Sequence, residues 1–561
     1  MTSITLLSHQ NEHVKNIWKL LTVDQIFSFI DTSNTGDGKT ITTLYLAKDL
    51  QQKYGTRIMI VAPSDASLNN DDGWLKNAKK YGVEIDIVTT YSALRGGRGT
   101  VSHPWLIPDP EDKKNWTTTT QFAEKCASGL FIIFDEYHHA KNASMSHYAC
   151  AALVKTAKKY RSVCRVGLLS HTPGDKKEHY PQILRMTGLI SSKKMFKHIP
   201  FTSDYKVEGY GLGELKAVCS KLRPDLKRDF ESMMYRLTKA RSLSITKDLF
   251  DTHISPVITF AMPKRETTQT VKLLNVFLET DEDSLQLLQD GIAGLSGAVN
   301  WNAAVGQVGA ANTWSLANIS NSLKMIERGK LYTMARYVRE EVARNPKKKF
   351  VISCGARGIE HHDILSQILY RESTAEDYTD IISELRRKND NWRCLPKDMI
   401  YYISLFLKEK VKPHVLNGTV SKKDRIKMIR EFQTDTNKCW CLIISPGIGS
   451  ESISLHDKHG GREREMLIVP DYFHSRVVQS SGRVNRAGMK SDAKVLMVYS
   501  KEANLETRIL DSMVRKAKIA RDLLAEGQEV LFPGEYPFYI EGERDIALET
   551  ALTTAYRQQV H

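Results

Sequence analysis

Short apolar runs alternate along the chain with longer amphipathic segments, which is the pattern of parallel sheets joined by crossover helices. The runs that read as strands fall into two sets: Arg57–Ala62, Glu84–Thr89, Leu130–Phe134 and Arg165–Leu169, then Lys349–Cys354, Pro413–Leu416, Cys441–Ser445, Glu465–Val469 and Lys494–Val498. The pattern therefore predicts an α/β protein with two parallel-sheet lobes, helical insertions and a helical extension at the C-terminus.

The segments around the two sets of strands predict the domain organisation. The predicted parts are a first lobe at 1–190, a mostly helical insertion or linker at 191–345, a second lobe at 346–500 and a C-terminal helix and tail at 501–561. Residues 291–311 are rich in Gly and Ala and predict a mobile loop or hairpin, and about 370–410 is an insertion in the second lobe. The helix of the tail is predicted at Leu505–Leu524, where apolar residues recur at helical spacing.

The composition is that of an ordinary globular protein, with 41% hydrophobic and 26% charged residues. The sequence contains no apolar run of about 18 residues, and its start, MTSITLLSHQ, lacks the basic segment and apolar core of a secretion signal. The eight cysteines are scattered, and even Cys439 and Cys441 do not have metal-site spacing. We therefore expect an intracellular protein with reduced thiols, in the cytoplasm, the nucleus or a virion, and no membrane partner.

The formal net charge of +15 favours polyanionic partners, because basic side chains release the counterions of a polyanion. The charge is concentrated in residues 216–247, which carry nine basic residues against three acidic ones. This basic block fits two hypotheses, a solvated helix face and a contact with nucleic acid, and the sequence does not decide between them.

The segment Thr35-Gly36-Asp37-Gly38-Lys39-Thr40 has the composition of a phosphate-binding loop. Its glycines allow backbone N–H groups to approach phosphate, and the lysine supplies a positive charge. A helical pattern follows, which places the loop at a helix N-terminus. The segment predicts a nucleotide site.

Two adjacent carboxylates, Asp135 and Glu136, follow the apolar run Leu130–Phe134 and open the sequence DEYHHAKN. A strand that delivers two carboxylates to its carboxyl end suits nucleotide hydrolysis, since one can hold Mg²⁺ together with Thr40 while the other orients water. Together with the phosphate loop, these residues predict an ATPase that uses ATP and Mg²⁺, with Lys39, Asp135 and Glu136 as catalytic residues.

Taken in order, these motifs and their neighbours resemble those of superfamily 2 DExH helicases, and within them the Swi/Snf-type DNA-dependent ATPases, over most of the chain. The resemblance implies two RecA-like lobes and a role for Gln10 in recognising adenine. The residues implied to couple hydrolysis to movement are His138, Ser170 and Thr172. The residues implied to contact nucleic acid in the first lobe are Pro63, Ser64, Thr90 and Tyr91.

In the second lobe the resemblance rests on QSSGRVNR at 479–486. The three-residue spacing of Arg483 and Arg486 predicts both guanidinium groups on one face of a helix. The resemblance implies that these arginines, together with Gln479, act on the γ-phosphate of ATP bound in the opposite lobe. Asn417, Gly418 and Ser445 are implied contacts with nucleic acid.

The sequence departs from the family pattern at a few positions. His171 stands between two hydroxyl residues where a small residue is usual, Ser450 and Ser452 replace glycines, and Met489 replaces a glutamine. These departures indicate a divergent branch, similar to the helicase-like ATPases of large DNA viruses.

The function implied by the resemblance is a DNA-stimulated ATPase that translocates on duplex DNA in transcription, replication or repair. Its partners would be nucleic acid, with DNA favoured over RNA, and transcription or replication proteins. The alternatives are an RNA helicase of the DExH type, an ATP-switched structural subunit of a transcription or packaging complex, and an inactive pseudo-ATPase. Strand separation is not expected, because the best candidate wedge, around Trp301 and Trp314, lies in the Gly/Ala-rich stretch.

Overall fold

The computed structural model describes only part of the chain. The described residues are 4–69, 73–96, 104–109, 111, 115–190, 196–198, 205–207, 223–240, 243–263, 269–278, 289, single positions between 330 and 344, 345–353, 414–416, 420–436, 439–444, 453–469, 474–486, 488–500 and 504–524. They form two compact units, the first from the described residues within 1–266, 451–453 and 516–530, and the second from those within 267–450 and 454–515.

The first unit contains a large parallel sheet and the helices that cover it. Its strands are β1 (Ser28–Asp31), β2 (Arg57–Ala62), β3 (Ile87–Thr90), β4 (Leu106–Pro108), β5 (Trp116–Thr118), β6 (Leu130–Asp135), β7 (Arg165–Leu169), β8 (Phe196–His198), β9 (Tyr205–Val207) and β10 (Thr259–Phe260). Its helices are α1 (Ser8–Thr22), α2 (Lys39–Tyr54), α3 (Asp65–Asn69), α4 (Trp74–Tyr81), α5 (Tyr91–Arg95), α6 (Thr120–Ala127), α7 (Met145–Lys159), α8 (Tyr180–Met186), α9 (Lys227–Ala240), α10 (Leu243–Leu249) and α11 (Ser255–Ile258). Short helical turns occur at Tyr137–Ala140, Lys177–His179, Pro224–Leu226 and Phe250–Ile254.

Six parallel strands form this sheet in the order β10-β1-β7-β6-β2-β3. All six residues of β6 are buried, which is expected where helices cover both faces of a parallel sheet. Its alternate side chains enter two apolar clusters, Ile132 and Phe134 in one and Phe131 and Ile133 in the other. The strand is thus fixed on both faces, and the residue at its carboxyl end is held in place by the core.

The second unit repeats this architecture. Its elements are β11 (Val271–Leu278), β12 (Lys349–Ser353), β13 (His414–Leu416), α12 (Lys422–Gln433), β14 (Cys441–Ile444), β15 (Arg464–Ile468), α13 (His474–Ser481), β16 (Ala493–Ser500) and α14 (Asn504–Asp522), the last of which continues into the first unit from Lys516. Six parallel strands pair in the order β11-β16-β15-β12-β14-β13. The prediction of an α/β fold with two parallel, RecA-like sheets is confirmed.

All nine predicted strands are present, with bounds that shift by at most a few residues, and the predicted C-terminal helix is α14. In the two six-stranded sheets, three strands were not among the predicted ones. Ser28–Asp31 is short and has polar ends, Thr259–Phe260 follows a helical turn, and Val271–Leu278 lies in a region with mostly helical periodicity but pairs with β16 along its whole length. The predicted loop at 291–311 and the insertion at about 370–410 lie outside the described residues.

Among the helices that the structure describes, none combines the length and the apolar character that crossing a bilayer requires.

Candidate functional site

The phosphate loop connects β1 to α2, and its backbone requires glycine. Gly36 and Gly38 both have a φ of 98°, in the left-handed region where a side chain is strained. A Cβ added to Gly38 would lie 2.5 Å from the Gln10 side-chain nitrogen, which is closer than atoms can approach. The loop thus leads directly into α2, whose first N–H groups can bind an anion.

Lys39 is buried and is held by its own loop. Its Nζ donates to the carbonyl oxygens of Ser33 at 2.7 Å and Asn34 at 3.2 Å. Thr35 and Asp37 are buried in the same loop, and Thr40 follows at the start of α2, half-buried. The structure therefore brings the predicted phosphate-binding residues together.

Gln10 lies on α1 and contacts the phosphate loop. Its Nε2 donates to the Asp37 carbonyl oxygen at 2.9 Å, and its Oε1 accepts from the Leu7 N–H at 3.0 Å. These two bonds fix the amide beside the loop. Its role in recognising adenine stays a prediction.

The two carboxylates occupy the carboxyl end of β6 as expected. Asp135 is buried, and its Oδ2 accepts a hydrogen bond from the Trp74 indole N–H at 2.8 Å. Burial and the neighbouring Glu136 raise the pKa of Asp135 to about 7, although Trp74 and Lys39 act in the opposite direction. Glu136 has a left-handed backbone, with φ 49° and ψ 53°, a conformation uncommon for a residue with a side chain.

The coupling residues form a chain that starts at Glu136. The Nδ1 atom of His138 lies 3.3 Å from a Glu136 carboxylate oxygen and 3.2 Å from the Ser170 hydroxyl. The Ser170 hydroxyl in turn accepts from the Thr172 N–H at 3.3 Å. Ser170 directly follows β7, which pairs with β6, so the sheet itself places these residues side by side.

His171, which departs from the family pattern, is also tied to the site. Its Nδ1 donates to the Thr32 carbonyl oxygen at 3.2 Å, next to the start of the phosphate loop. Burial and the positive charge of Lys39 lower the pKa of His171 to about 4, so the ring is neutral at neutral pH.

The predicted nucleic-acid contacts of the first unit follow the carboxyl ends of β2 and β3. Ser64 bonds within its own turn, where its Oγ accepts from the Ser67 N–H at 3.3 Å, and Pro63 precedes it, half-buried. Thr90 caps α5 by accepting from the Ala93 N–H at 3.2 Å. Tyr91 is buried, and its hydroxyl donates to the Asp135 carbonyl oxygen at 2.9 Å, a placement that favours positioning over surface contact. Asn417, Gly418 and Ser445 lie outside the described residues.

The arginine motif of the second unit does not lie on a helix as predicted. Helix α13 contains Gln479 but ends at Ser481. Arg483 follows in a turn and Arg486 in irregular backbone, so the expectation of one shared helical face was wrong. The helix ends at a Ser-Ser-Gly sequence, and serine and glycine have a lower helix propensity than most other residues. Arg483 is buried, and Arg486 donates from Nη1 to the Ser454 hydroxyl at 3.0 Å.

Comparison with known proteins identifies the first part of the chain. Residues 3–188 match the family model described as "Type III restriction enzyme, res subunit". These residues carry a superfamily 2 helicase-like ATPase domain. The match ends before the second sheet, so it covers the helicase-like domain alone.

One curated relative and two solved structures also resemble the chain. "Putative ATP-dependent RNA helicase L364" of Acanthamoeba polyphaga mimivirus is 28% identical over 149 residues, which are 26% of this chain and 26% of that protein. The chain thus spans about a quarter of the length of this relative. A SWI2/SNF2 ATPase core of Sulfolobus solfataricus in complex with dsDNA is 15% identical, covers 93% of each chain and has a TM-score of 0.29. The DUF1998 helicase MrfA bound to DNA is 10% identical over 91% of this chain and 51% of that one, with a TM-score of 0.43.

The helicase-like domain also contains site residues that sequence reasoning missed. His13, one turn after Gln10 on α1, lies with its Nε2 3.0 Å from an Asp31 carboxylate oxygen at the end of β1. Burial opposes ionisation of Asp31, but His13 and Lys39 hold its pKa below the usual value. Asp31 also accepts from the Ser33 N–H at 2.9 Å, which fixes the first residues of the phosphate loop. A charged residue that ends an apolar strand was the available signal.

The Lys-Asn pair at the end of DEYHHAKN binds the segment that follows Thr172. Lys141 Nζ lies 2.8 Å from an Asp175 carboxylate oxygen, and Asn142 Oδ1 lies 3.2 Å from His179 Nε2. Burial opposes ionisation of Asp175, but Lys141 and His179 keep its pKa well below the usual value. This extension of the carboxylate motif therefore holds the hydroxyl motif against the end of β6.

Proposed function

We propose that this protein is a nucleic-acid-dependent ATPase that uses Mg²⁺ and translocates on duplex DNA. The observation that supports the proposal best is the edge of the first sheet where β1, β7 and β6 end as neighbours. These three strands deliver the phosphate loop, Ser170 and the Asp135–Glu136 pair to one place. That is the set of groups that phosphoryl transfer needs.

ATP binding involves the phosphate loop first. The N–H groups at the start of α2 bind phosphate oxygens. Lys39 gives up its hydrogen bonds to the Ser33 and Asn34 carbonyl oxygens and bonds to phosphate oxygens instead. Gln10 keeps the loop in place through Asp37 and is the residue that would recognise the adenine base.

Asp135 and Thr40 would hold the metal ion. When bound, Mg²⁺ supplies positive charge to the transferred phosphoryl group. The residues fit such an ion, because a buried carboxylate with a raised pKa gains from a cation, and Mg²⁺ usually takes only one or two protein carboxylates besides phosphate and water.

Glu136 orients the attacking water, and His138 holds Glu136. Because His138 also lies beside Ser170, a movement of the hydroxyl motif changes the position of the carboxylate that acts on water. This chain is the proposed connection between hydrolysis and movement on nucleic acid. The catalytic roles of Gln479, Arg483 and Arg486 remain predictions from the resemblance.

Two features bear on which nucleic acid the protein uses. The Lys141–Asn142 extension and the Thr90–Tyr91 segment favour the duplex-DNA branch of the family. The name of the mimivirus relative specifies RNA and supports the alternative of an RNA helicase.

ATPase assays with double-stranded DNA, single-stranded DNA and RNA test the proposal directly. We expect double-stranded DNA to stimulate the rate most, and Lys39→Ala to abolish the rate with every substrate. Stimulation by RNA alone would favour the RNA helicase. ATP binding without hydrolysis in any condition would favour the ATP-switched subunit.

Translocation without strand separation is tested by measuring triplex-strand displacement and forked-duplex unwinding in parallel. We expect ATP-dependent displacement of the third strand and little unwinding of the fork. Unwinding of the fork without triplex displacement would contradict the proposal and assign the protein to the conventional helicases.

A further inference from the structure

Two aromatic side chains donate hydrogen bonds to the same residue of the proposed catalytic pair. The Trp74 indole N–H donates to the Asp135 carboxylate at 2.8 Å, and the Tyr91 hydroxyl donates to the Asp135 backbone carbonyl at 2.9 Å. Both aromatic residues are buried, with 1% and 4% of their surfaces exposed. One bond therefore fixes the side chain of Asp135 and the other fixes its backbone.

The Trp74 bond is more than a consequence of packing. An indole has a single donor, and a hydrogen bond to a carboxylate is stronger than one between neutral groups. The indole nitrogens of Trp18 and Trp116, in contrast, have no hydrogen-bond partner among the described residues. The bond of Trp74 to the Asp135 carboxylate is therefore not shared by these two tryptophans.

The positions of the two aromatic residues connect Asp135 to other parts of the domain. Trp74 begins α4, in the connection that follows β2 and contains Pro63 and Ser64. Tyr91 begins α5 directly after β3 and Thr90. Strands β6, β2 and β3 are consecutive neighbours in the sheet, so both connections leave the edge at which Asp135 lies.

We propose that Trp74 and Tyr91 are positioning residues that hold the Asp135 carboxylate in the orientation that Mg²⁺·ATP requires. The proposal rests on the proposed function of the site. Because each aromatic residue belongs to a connection expected to contact nucleic acid, a displacement of either connection changes the orientation of Asp135. Trp74 and Tyr91 are then the second route, beside His138 and Ser170, by which bound nucleic acid affects hydrolysis.

Fluorine NMR of protein labelled with 5-fluorotryptophan tests the Trp74 contact without measuring activity. The chain has eight tryptophans, and the variants Trp74→Phe and Trp18→Phe assign two of the resonances. We expect Asp135→Asn, and separately Mg²⁺ with a non-hydrolysable ATP analogue, to shift the Trp74 resonance and leave the Trp18 resonance in place. If neither change shifts the Trp74 resonance, the proposed contact between Trp74 and Asp135 is wrong.

The metal dependence of nucleotide binding tests the positioning role. For Trp74→Phe we expect the Mg²⁺ concentration that supports half-maximal binding of the analogue to rise roughly tenfold, the usual effect of losing a hydrogen bond to a charged group. Trp18→Phe is the matched control and should behave as the wild type. An unchanged Mg²⁺ dependence in Trp74→Phe, with normal binding by the wild type, would overturn this inference alone. Absence of binding by the wild type would instead overturn the proposed function.

Tyr91→Phe removes one oxygen atom and keeps the buried ring, so it provides a second test if Trp74→Phe fails to fold. We expect the ratio of nucleic-acid-stimulated to unstimulated ATPase rate to fall several-fold. The effects of Tyr91→Phe and Trp74→Phe should be non-additive, because both act on Asp135. A stimulation ratio equal to that of the wild type would contradict the role of Tyr91.

Discussion

Each unit has a six-stranded parallel sheet, yet the buried charges of the first unit's candidate site and two buried charges of the second unit lie at opposite ends of their strands. In the first unit Lys39, Asp135 and the chain from Glu136 to Ser170 lie at the carboxyl ends. In the second unit two of the buried charges, Lys349 and Arg464, are the first residues of β12 and β15, at the amino ends.

The partners of these charges also differ. Lys349 Nζ donates to the carbonyl oxygens of Phe432 and Thr434, both at 2.7 Å, and so binds the last carbonyls of α12. The neighbouring Lys348 pairs with Glu465 at 2.8 Å. Perturbed pKa values occur in both units, since burial and the charges of Arg464 and Arg462 lower the pKa of Lys349 to about 8. A shifted pKa therefore does not identify a functional site by itself. A reactive charge differs from a structural one in the strand end at which it lies and in the kind of group that it contacts.

The largest expected effect tests the reactive side of this comparison. Lys39→Ala should abolish hydrolysis, and Glu136→Gln should lower the hydrolysis rate by roughly 10²- to 10⁴-fold, because each change removes a group with a direct chemical role. Glu136→Gln should still bind ATP, as measured with a fluorescent analogue. More than about a tenth of the wild-type rate in Glu136→Gln would contradict its role in orienting water.

The structural side of the comparison is tested by Lys349→Met, which should leave the ATPase rate unchanged and alter stability in a pH-dependent way. The pKa of Lys349 is lowered from 10.5 to about 8 on folding, so between these values the unfolded state binds more protons. The cost of burying the charge is complete below pH 8 and disappears as the pH approaches 10.5.

The free energy of unfolding of the wild type, relative to Lys349→Met, should therefore rise by about 2 kcal/mol between neutral pH and pH 10, after allowance for solvent screening. Urea unfolding of both proteins at several pH values measures this difference. A difference that stays constant with pH would show that Lys349 is not buried as a charge.

The smallest expected effect concerns the basic block at 216–247. On α9 Phe230 is buried while Arg228 and Arg236 are exposed, so these arginines are available to phosphates. Arg228→Gln together with Arg236→Gln should weaken binding to all duplex sequences alike. The slope of log affinity against log salt should flatten by about 0.9 for each lost phosphate contact. Arg223→Gln is the control, because Arg223 already pairs with Asp225 at 2.7 Å. An unchanged slope would favour the other hypothesis for the basic block, that it is a solvated helix face without a role in binding nucleic acid.

The sheets were predictable from sequence because strands buried on both faces are short, continuous apolar runs, of which Leu130–Asp135 is the clearest. Strand β11 was missed because it pairs with β16, whose residues are more than two hundred positions away in the chain. The local spacing of apolar residues carries no information about such a distant partner. The order of the site motifs was also readable, since each follows a strand whose carboxyl end meets the same edge.

The contacts that orient these motifs were not readable. Trp74 and Asp135 are 61 positions apart, and a tryptophan at the start of a helix carries no local sign of its partner. The arginine motif was mispredicted for a different reason. The spacing of its two arginines suits a helix, but the helix ends before them, at Ser481. Local patterns predict what an element is, whereas the partner of a polar side chain depends on which elements the sheet order brings together.

The hydrogen bonds of Lys39 have a consequence for how tightly ATP binds. The ammonium group of Lys39 is buried and bonds to the Ser33 and Asn34 carbonyl oxygens of the protein itself. Binding is therefore an exchange reaction in which phosphate oxygens compete with the protein's own backbone for one cation. The affinity for ATP therefore reflects the difference in free energy between the bonds of Lys39 to the phosphates and its bonds to the backbone carbonyl oxygens of the loop.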